Sequence, residues 1–423
     1  MQIKELLKKL DFSVYKDELS LIKIKVDEFI DFLEKAIQKE KIVAEVFVGG
    51  SFAKETLVKN SSYDIDIFVR FESGERDISA LLNKILDKYL KMKKLKFELV
   101  HGSRDYFRIK KENIVFEIIP VKKIKNIKEA ENITDLSYFH VKYVKNKIKK
   151  RNLTKEVIFA KKFCKAHGVY GAESYINGFS GYGLECLIAN FGSFEKMIRA
   201  LVKVKDKLVI DSEKKYKNKK DIFIELNESK LKSPIILIDP TCKERNALSA
   251  LNKETFEKFK AAANAFLNKP NQSFFEIKKP RKKEFENLAK QKNLEFINIL
   301  LKTNKQPGDI AGTKLNKFAN FLIRELSQYF NVIKKEFNYS EGTEAELYLL
   351  SSSKGQILKK GPQINLKNNV AAFKKKHKNT FEKMGRVYAR DKVGLKAKEF
   401  IKKFNQQQTE KIREMDICEL RVT

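Results

Sequence analysis

One stretch, residues 46–71, constrains the fold of this chain more than any other. It reads VFVGGSFAKETLVKNSSYDIDIFVRF. Its first apolar run stops at Gly49-Gly50-Ser51, where the backbone can turn sharply and direct amide groups at an anion. Residues 51–58 then have the length of a short helix, whose N-terminus would face the same space. The opening of the stretch therefore predicts a strand, a glycine turn and a helix.

The end of the stretch predicts a second strand that carries two acids. Polar and apolar residues alternate from residue 63 to 71, so Asp64 and Asp66 share one face while the apolar side chains share the other. Two carboxylates roughly 7 Å apart on one strand face are too costly to bury without partners. A divalent cation between them would relieve their repulsion, so we interpret this face as a metal site.

A third acid lies in a later apolar segment. Residues 113–120 read NIVFEIIP, and Glu117 interrupts an otherwise strand-like run. An edge-strand glutamate facing water is the alternative, but Val115 and Ile119 share its side of the strand and indicate partial burial. Gly-Ser, then Asp-x-Asp, then an acid on a nearby strand resembles the pattern of the DNA polymerase β-type nucleotidyltransferases. In that chemistry two metal ions clamp a triphosphate and activate a hydroxyl nucleophile.

Composition narrows the class of partner. The 423 residues suffice for roughly two to four domains. Lys and Arg number 88 against 55 Asp and Glu, and this net charge of +33 favours a polyanion such as nucleic acid, although a lysine-rich proteome would also raise it. No apolar run in the sequence reaches membrane length, and residues 1–10 are amphipathic. The sequence therefore predicts neither a membrane span nor a signal peptide. The cysteines are far apart, without a C-x-x-C pair, which indicates reduced thiols in the cytoplasm: Cys164, Cys186, Cys242 and Cys418.

The order of periodic segments predicts an α+β protein with several domains. Residues 1–125 read as an α/β catalytic domain, and residues 126–268 as a mainly helical region. Residues 269–353 contain a β-α-β-β pattern of the RNA-recognition-motif type, without the aromatic signature of that motif. Residues 354–423 are lysine-rich and are predicted to be mostly helical.

Four segments beyond the first domain carry a more specific resemblance. They are GVYGAE (168–173), GFSGYGLECL (178–187), DPTCKERNAL (239–248) and KKGPQINLKNNVAAFKKKH (359–377). Together with the Gly50-Ser51 turn, they resemble in sequence and order the archaeal-type, class I CCA-adding enzymes, which are tRNA nucleotidyltransferases. The resemblance covers nearly the whole chain, and the later segments are more specific than the first.

This resemblance implies an architecture and a reaction. The architecture is a polymerase β-like nucleotidyltransferase head, a mainly helical neck, an RRM-like α/β body and a helical basic tail. The reaction is template-independent addition of C, C and A to the 3′ end of tRNA from CTP and ATP, with two Mg²⁺ ions and release of pyrophosphate. The implied partners are nucleoside triphosphates and tRNA, through its acceptor stem and elbow, without a membrane; a homodimer is also considered.

The resemblance assigns site residues by position. Asp64, Asp66 and Glu117 match the catalytic, metal-binding carboxylates, although the third is commonly Asp in the family. The matched nucleotide-binding residues are Gly50, Ser51 and Lys54 in the head, His140, Lys161 and Tyr170 in the neck, and Arg245, which helps to read the incoming base. The tail lysines assigned to tRNA docking are Lys374, Lys375, Lys376 and Lys378.

Structural and functional alternatives stand beside these assignments. In a purely structural interpretation Lys161 lies on a solvated helix face, His140, Tyr170 and Tyr182 lie in a core, Arg245 pairs with Asp239 or Glu244, and the tail lysines are solvated. One alternative function is a related RNA nucleotidyltransferase, such as an oligoadenylate-forming or poly(A) enzyme, which would not need the tail. The other is a non-catalytic RNA-binding protein, which the three acids argue against.

Overall fold

The computed structural model describes residues 2–72, 74, 77–102, 104–277 and 282–423. These residues form two compact units, one reaching Ile277 and one from residue 278 onward. The predicted boundary at residue 125 falls inside the first unit, and the boundary at 353 falls inside the second. The domain boundaries at residues 125 and 353 therefore remain predictions.

The first unit is an α/β region followed by a mainly helical region, as the sequence predicts. It also contains three short 3₁₀ helices, Ile127–Glu129, Ile133–Leu136 and Gln272–Phe275. In chain order its main elements are α1 (Gln2–Lys9), α2 (Lys16–Lys39), β1 (Ala44–Val48), α3 (Gly50–Ala53), β2 (Tyr63–Phe71), α4 (Ile78–Met92), β3 (Glu98–Val100), β4 (Tyr106–Lys111), β5 (Ile114–Lys122), α5 (Ser137–Lys150), α6 (Thr154–Ala166), α7 (Gly181–Phe191), α8 (Phe194–Leu201), β6 (Leu208–Ile210), α9 (Lys219–Glu225), α10 (Glu228–Leu231), β7 (Ile235–Leu237) and α11 (Lys253–Asn268).

The α/β region is built on a five-stranded sheet with the order β1-β2-β5-β4-β3. β2 runs parallel to β5 and antiparallel to β1. Helices α2 and α4 cover one face of this sheet, and Ile65 and Ile67 of β2 are buried there. Because side chains alternate along a strand, Asp64 and Asp66 lie on the opposite face. The predicted alternation of β2 is confirmed.

The helix after the glycine turn is shorter than the sequence predicts. It covers Gly50–Ala53 rather than residues 51–58. Glu55 adopts a left-handed conformation (φ +58°), which ends the helix, and Val58 then forms an isolated bridge with Ser13. The segment between α3 and β2 is therefore irregular apart from this bridge.

The helical region of the first unit packs around an aromatic core. Helices α6, α8 and α11 contribute buried phenylalanines to it, among them Phe163, Phe194 and Phe259. Two short parallel strands, β6 and β7, lie beside these helices. β7 leads directly to Asp239, a fully buried acid.

The second unit begins with a helix and a β-α-β-β segment. Its elements in chain order are α12 (Lys282–Lys292), β8 (Glu295–Lys302), α13 (Asp309–Ser327), β9 (Phe330–Tyr339), β10 (Glu344–Ser353), β11 (Gln356–Gln363), α14 (Lys367–Lys376), β12 (Thr380–Lys383), β13 (Arg386–Lys392), α15 (Ala397–Gln407), α16 (Thr409–Glu414) and β14 (Glu419–Val422).

The predicted β-α-β-β order is present as β8-α13-β9-β10. These strands lie in a sheet with the order β14-β8-β10-β9, in which all neighbours are antiparallel. Helices α13 and α15 pack on it and bury Leu322 and Ile401. The fourth strand comes from the far end of the chain, so this sheet combines residues that the sequence analysis assigned to two domains.

The prediction that residues 354–423 are mostly helical is wrong. β11, β13 and β12 form a three-stranded antiparallel sheet, with α14 between two of them. Val387 and Ala389 alternate with more exposed residues along β13, which is the two-residue period of a strand. The high lysine content of the segment hides this short alternation.

Two further expectations concern the thiols and the membrane. All four cysteines are free, and Cys164 and Cys186 are buried among apolar side chains. Among the described helices, none combines the length and the apolar composition needed to cross a membrane.

Candidate active site

Three carboxylates lie on the exposed side of β2 and β5. Asp64 is exposed and Asp66 is half-buried, and the strand register places Glu117 of β5 directly beside Asp66. On the next strand, Arg108 donates from Nη2 and Nε to Glu117 Oε1 at 2.8 and 3.2 Å. The structure thus brings together the three acids that the sequence singles out.

The charge of Asp66 is poorly balanced by the protein. Burial, and after it the charge of Glu117, raise the pKa of Asp66 to about 7, while Lys54 opposes the shift. A cation beside this carboxylate would stabilise its ionised form. Carboxylate oxygens are the donors that Mg²⁺ prefers, so the donor set fits that ion. Within the described residues, no three His, Cys, Asp or Glu side chains are already gathered into a metal-binding group.

The glycine turn lies directly against Asp66. The Gly49 amide donates a hydrogen bond of 2.8 Å to the Asp66 carbonyl oxygen. Gly50 has a left-handed backbone (φ +57°), and a Cβ there would lie 1.6 Å from Asp66 Oδ2. Only glycine fits this position. Ser51 follows on the same turn, at the start of α3.

A buried ionic cluster lies between the α/β region and the helical region. Lys54 Nζ donates to Glu185 Oε2 at 2.7 Å, and Lys161 Nζ donates to Glu185 Oε1 at 2.8 Å. The Thr56 hydroxyl donates to Glu185 Oε1 at 3.0 Å and accepts from Lys161 at 2.9 Å. Lys161 is 2% exposed, so the interpretation of this residue as a solvated helix-face lysine is wrong.

The electrostatics of this cluster favour its charged state. Burial opposes ionisation of Glu185, but the charges of Lys161 and Lys54 hold its pKa at about 2. Burial lowers the pKa of Lys161, and Glu185 opposes that shift. The two ammonium groups and the carboxylate therefore depend on one another.

Tyr170 lies next to the ionic cluster. A Cβ added to Gly181 would lie 2.8 Å from the Tyr170 hydroxyl oxygen and 3.9 Å from Lys161 Cε. Gly168, with φ +60°, provides the turn between α6 and Tyr170. Lys161 and Tyr170 therefore lie near each other across this turn.

A second buried acid, Asp239, organises the other predicted neck residues. His140 Nε2 lies 3.1 Å from Asp239 Oδ2, and Arg245 Nη1 donates to the same oxygen at 2.6 Å. The Tyr182 hydroxyl donates to Asp239 Oδ1 at 2.8 Å, and its ring stacks on His140 with centroids 4.1 Å apart. Burial opposes ionisation of Asp239, yet the contacts with His140 and Arg245 hold its pKa below the usual range.

Lys54 is close enough to all three groups to affect their ionisation. Its charge lowers the pKa values of Asp66, Glu185 and His140. The acids of the sheet, the ionic cluster and the Asp239 cluster are therefore all within range of one ammonium group in the first unit. Glu185 is not among the residues predicted from the sequence, although an acid inside the apolar run GLECL of α7 is a signal for it. Asp239 is predicted there only as an ion-pair partner of Arg245.

The predicted tRNA-docking lysines belong to the second unit. Lys374, Lys375 and Lys376 form the exposed last turn of α14, and Lys378 follows it. Phe373 anchors this helix, since a Cβ at Gly361 would lie 2.9 Å from the Phe373 ring.

Two family models match segments of the first unit. A nucleotidyltransferase domain model matches residues 26–164, and a model of the second domain of tRNA nucleotidyltransferase matches residues 155–276. Among solved structures, one of Cid1, described as an RNA terminal uridylyl transferase, has a TM-score of 0.50 at 12% identity and covers 66% of this chain and 97% of its own. At that identity the likeness shows the fold alone, which is the polymerase β-like nucleotidyltransferase fold.

Curated relatives are more specific. The CCA-adding enzyme of Nanoarchaeum equitans is 33% identical over 304 residues, which is 72% of each chain. That of Pyrococcus abyssi is 27% identical over 81% of this chain and 77% of its own, and that of Methanocaldococcus jannaschii 26% over 92% and 86%. These matches confirm the resemblance seen in the sequence, and the chain belongs to the family of CCA-adding enzymes known from archaea.

Proposed function

We propose that this protein adds C, C and A to the 3′ end of tRNA from CTP and ATP without a nucleic-acid template. The observation that carries the proposal is that three acids share one face of adjacent strands, beside a glycine turn and a lysine, Lys54, that bonds with a buried polar cluster. In the reaction, the terminal hydroxyl gives up its proton to water, and its oxygen forms a bond to the α-phosphorus of the nucleotide. The bond between the α-phosphorus and the bridging oxygen breaks, and pyrophosphate leaves with that electron pair.

The acid face would hold the metal ions. Asp64, Asp66 and Glu117 offer carboxylate oxygens on adjacent strands, and the raised pKa of Asp66 supports a missing positive charge there. When bound, two Mg²⁺ ions would neutralise the triphosphate and activate the attacking hydroxyl.

The residues around the acids would bind the nucleotide. The backbone amides at Gly50 and Ser51, together with the Lys54 ammonium, would meet the triphosphate, and Lys161 and Tyr170 would line the same region. On the other side, Arg245 and His140 would meet the base and ribose. Arg245 is held to Asp239 through Nη1, and the side chain is 21% exposed, so its remaining donors can reach a ligand.

The second unit would dock the tRNA. Its exposed lysines at the end of α14 suit a phosphate backbone, and the net charge of +33 supports a polyanionic partner. The β8-α13-β9-β10 segment, whose strands form one sheet with β14, supports an RRM-like body. Because the proposed substrate is tRNA, we expect the protein to act in the cytoplasm.

The direct test uses a tRNA transcript that ends before the CCA sequence. With Mg²⁺, we expect CTP alone to add C residues, ATP alone to add almost nothing, and both together to complete CCA. An oligoadenylate-forming or poly(A) enzyme would extend the transcript repeatedly with ATP alone, and a non-catalytic RNA-binding protein would bind it unchanged. Either result would overturn the proposal. The Asp66→Ala variant, purified in the same way, controls for contaminating activity.

A further inference from the structure

Glu185 is the centre of a buried cluster to which the reaction assigns no role. Its side chain is fully buried on α7, yet both carboxylate oxygens accept hydrogen bonds from charged groups. Oε1 accepts from Lys161 and Thr56, and Oε2 accepts from Lys54. Removing water from three charged groups is costly. A buried cluster in which both carboxylate oxygens are hydrogen-bonded therefore indicates a function for Glu185.

The two lysines of the cluster differ in how many of their hydrogen-bond donors remain for a ligand. An ammonium group has three donors. Lys161 Nζ directs them at Glu185 Oε1, Thr56 Oγ1 and, at 3.4 Å, the Thr56 carbonyl oxygen. For Lys54 Nζ, Glu185 is the one hydrogen-bond acceptor found among the described residues, so two of its donors remain for another group. Lys54 is also the more accessible side chain, at 10% against 3% for Lys161.

The location of Lys54 shows where those donors can act. It follows α3, directly after the glycine turn, and its charge acts on Asp66. Glu185, on α7 of the helical region, accepts a hydrogen bond from its ammonium group at 2.7 Å. A lysine side chain is long and flexible, so without such an acceptor its ammonium group would sample many positions.

We propose that Glu185 is a positioning residue, held by Lys161 and Thr56, which directs the Lys54 ammonium group at the triphosphate of the bound nucleotide. The proposal rests on the nucleotidyl-transfer function proposed above, because it needs a triphosphate at this site. It extends that function by assigning the order of contact: Lys161 orients Glu185, Glu185 orients Lys54, and Lys54 meets the phosphates.

A double-mutant cycle tests this order of contact. Glu185→Gln keeps the shape of the side chain and removes its charge, and Lys54→Met removes the ammonium group. CTP and ATP affinities are measured by calorimetry with Mg²⁺ and without tRNA, in all four combinations. If Glu185 acts through Lys54, Glu185→Gln weakens triphosphate binding about tenfold with Lys54 present and less than about twofold with Met at residue 54.

A matched control separates positioning from general stability. Asp135 is another buried carboxylate of the first unit, and it bonds with Arg104. Asp135→Asn should lower the melting temperature and have the same effect on triphosphate affinity whether or not Lys54 is present. The same additive behaviour for Glu185→Gln would overturn the proposal and leave Glu185 a structural residue.

A second variant covers the case in which Glu185→Gln does not fold. Glu185→Gln combined with Lys161→Met removes both buried charges, which is far less costly than leaving one unpaired. Because Lys161 also lines the nucleotide region, this pair is compared with Lys161→Met alone: it should bind triphosphate more weakly than that single variant, and only when Lys54 is present. Wild-type binding of CTP without CCA addition would contradict the proposed function while leaving the role of Glu185 intact. Failure of the wild type to bind either triphosphate would overturn both.

Discussion

Two carboxylates of the first unit lie near the same lysine, and their pKa values are shifted in opposite directions. Burial and the neighbouring Glu117 raise the pKa of Asp66 to about 7. Glu185 is more deeply buried, yet Lys161 and Lys54 hold its pKa at about 2. The comparison shows that burial alone does not decide the charge of an acid. Glu185 bonds with two lysines of the protein and keeps its charge. Asp66, at which we propose an external cation, has a raised pKa without that cation.

The largest expected effect comes from removing the unbalanced acids. Asp66→Ala or Asp64→Ala should lower the rate of nucleotide addition by about a thousandfold, the scale on which losing one electrostatic stabiliser lowers kcat. Affinity for tRNA should change little, since lysine and arginine contacts with phosphate dominate it. Single-turnover addition and a tRNA binding assay measure the two effects. Glu98→Ala, at an exposed acid of β3, is the control and should leave both unchanged. A parallel loss of tRNA affinity would contradict the assignment.

Glu117 sharpens the comparison because it has features of both acids. It lies beside Asp66, yet it is paired with Arg108. If it binds metal, Glu117→Ala should be nearly as damaging as Asp66→Ala, and Arg108→Ala should cost much less. If Glu117 serves only the ion pair, the two variants should have equally mild effects on the addition rate. The Mg²⁺ dependence of that rate distinguishes the two cases, since only loss of a ligand raises the concentration required.

A smaller effect is expected at the Asp239 cluster, where the acid is balanced. Arg245→Ala should reduce discrimination of CTP and ATP against UTP and GTP by about 1–3 kcal/mol, the range for a guanidinium that reads a base edge. Binding of a bare triphosphate should fall less. Arg199→Ala is the control, at an exposed arginine of α8 that pairs with Glu195. An equal loss for all four nucleotides would show that Arg245 serves only to pair with Asp239.

The smallest expected effect extends the comparison to surface lysines. On α14, Lys374 is paired with Glu382 at 3.1 Å, while Lys375 and Lys376 are exposed and have no ion pair among the described residues. Charge reversal at Lys375 and Lys376 should raise the KM for tRNA roughly tenfold and flatten its salt dependence. The rate on a short acceptor-stem hairpin should suffer much less.

The matched control for this experiment lies on α15. Charge reversal at Lys402 and Lys403, which are equally exposed on a helix of the same unit, should leave the KM for tRNA near its original value. Equal losses on full-length tRNA and on the hairpin would contradict a docking role for α14. A truncation after residue 353 would not serve, because it removes Ile401 and Leu420 from the core of the second unit.

The sequence predicts those parts of the site that local patterns determine. The alternation on β2 correctly places Asp64 and Asp66, and the apolar run around Glu117 predicts a strand on which the structure places this residue beside them. The burial of Lys161 could not be predicted from helical periodicity. It depends on Glu185, an acid that is distant in the sequence and reaches Lys161 only in the folded chain. A long-range ion pair of this kind leaves no periodic signal at either residue.

The fold of the second unit shows the same limit. The β-α-β-β segment has strong apolar periodicity, and it is predicted correctly. The strands β11 to β13 are short and carry many lysines, so composition favoured a helical tail. β14 is only Glu419–Val422, too short to predict as the partner of a strand that ends at Lys302. Pairing between such distant segments is decided by the packing of the whole unit.

The pairing of β14 with β8 also affects how the chain folds during synthesis. The first unit is complete in sequence by Ile277 and can fold while the remainder is still being translated. β8, by contrast, has one edge exposed until residues 419–422 have been made, more than a hundred residues later. An edge strand with Ile297 and Ile299 in its core-facing positions is a site for unwanted pairing with other chains. The second unit of a nascent chain therefore depends on β14, which is made long after β8, for protection against aggregation.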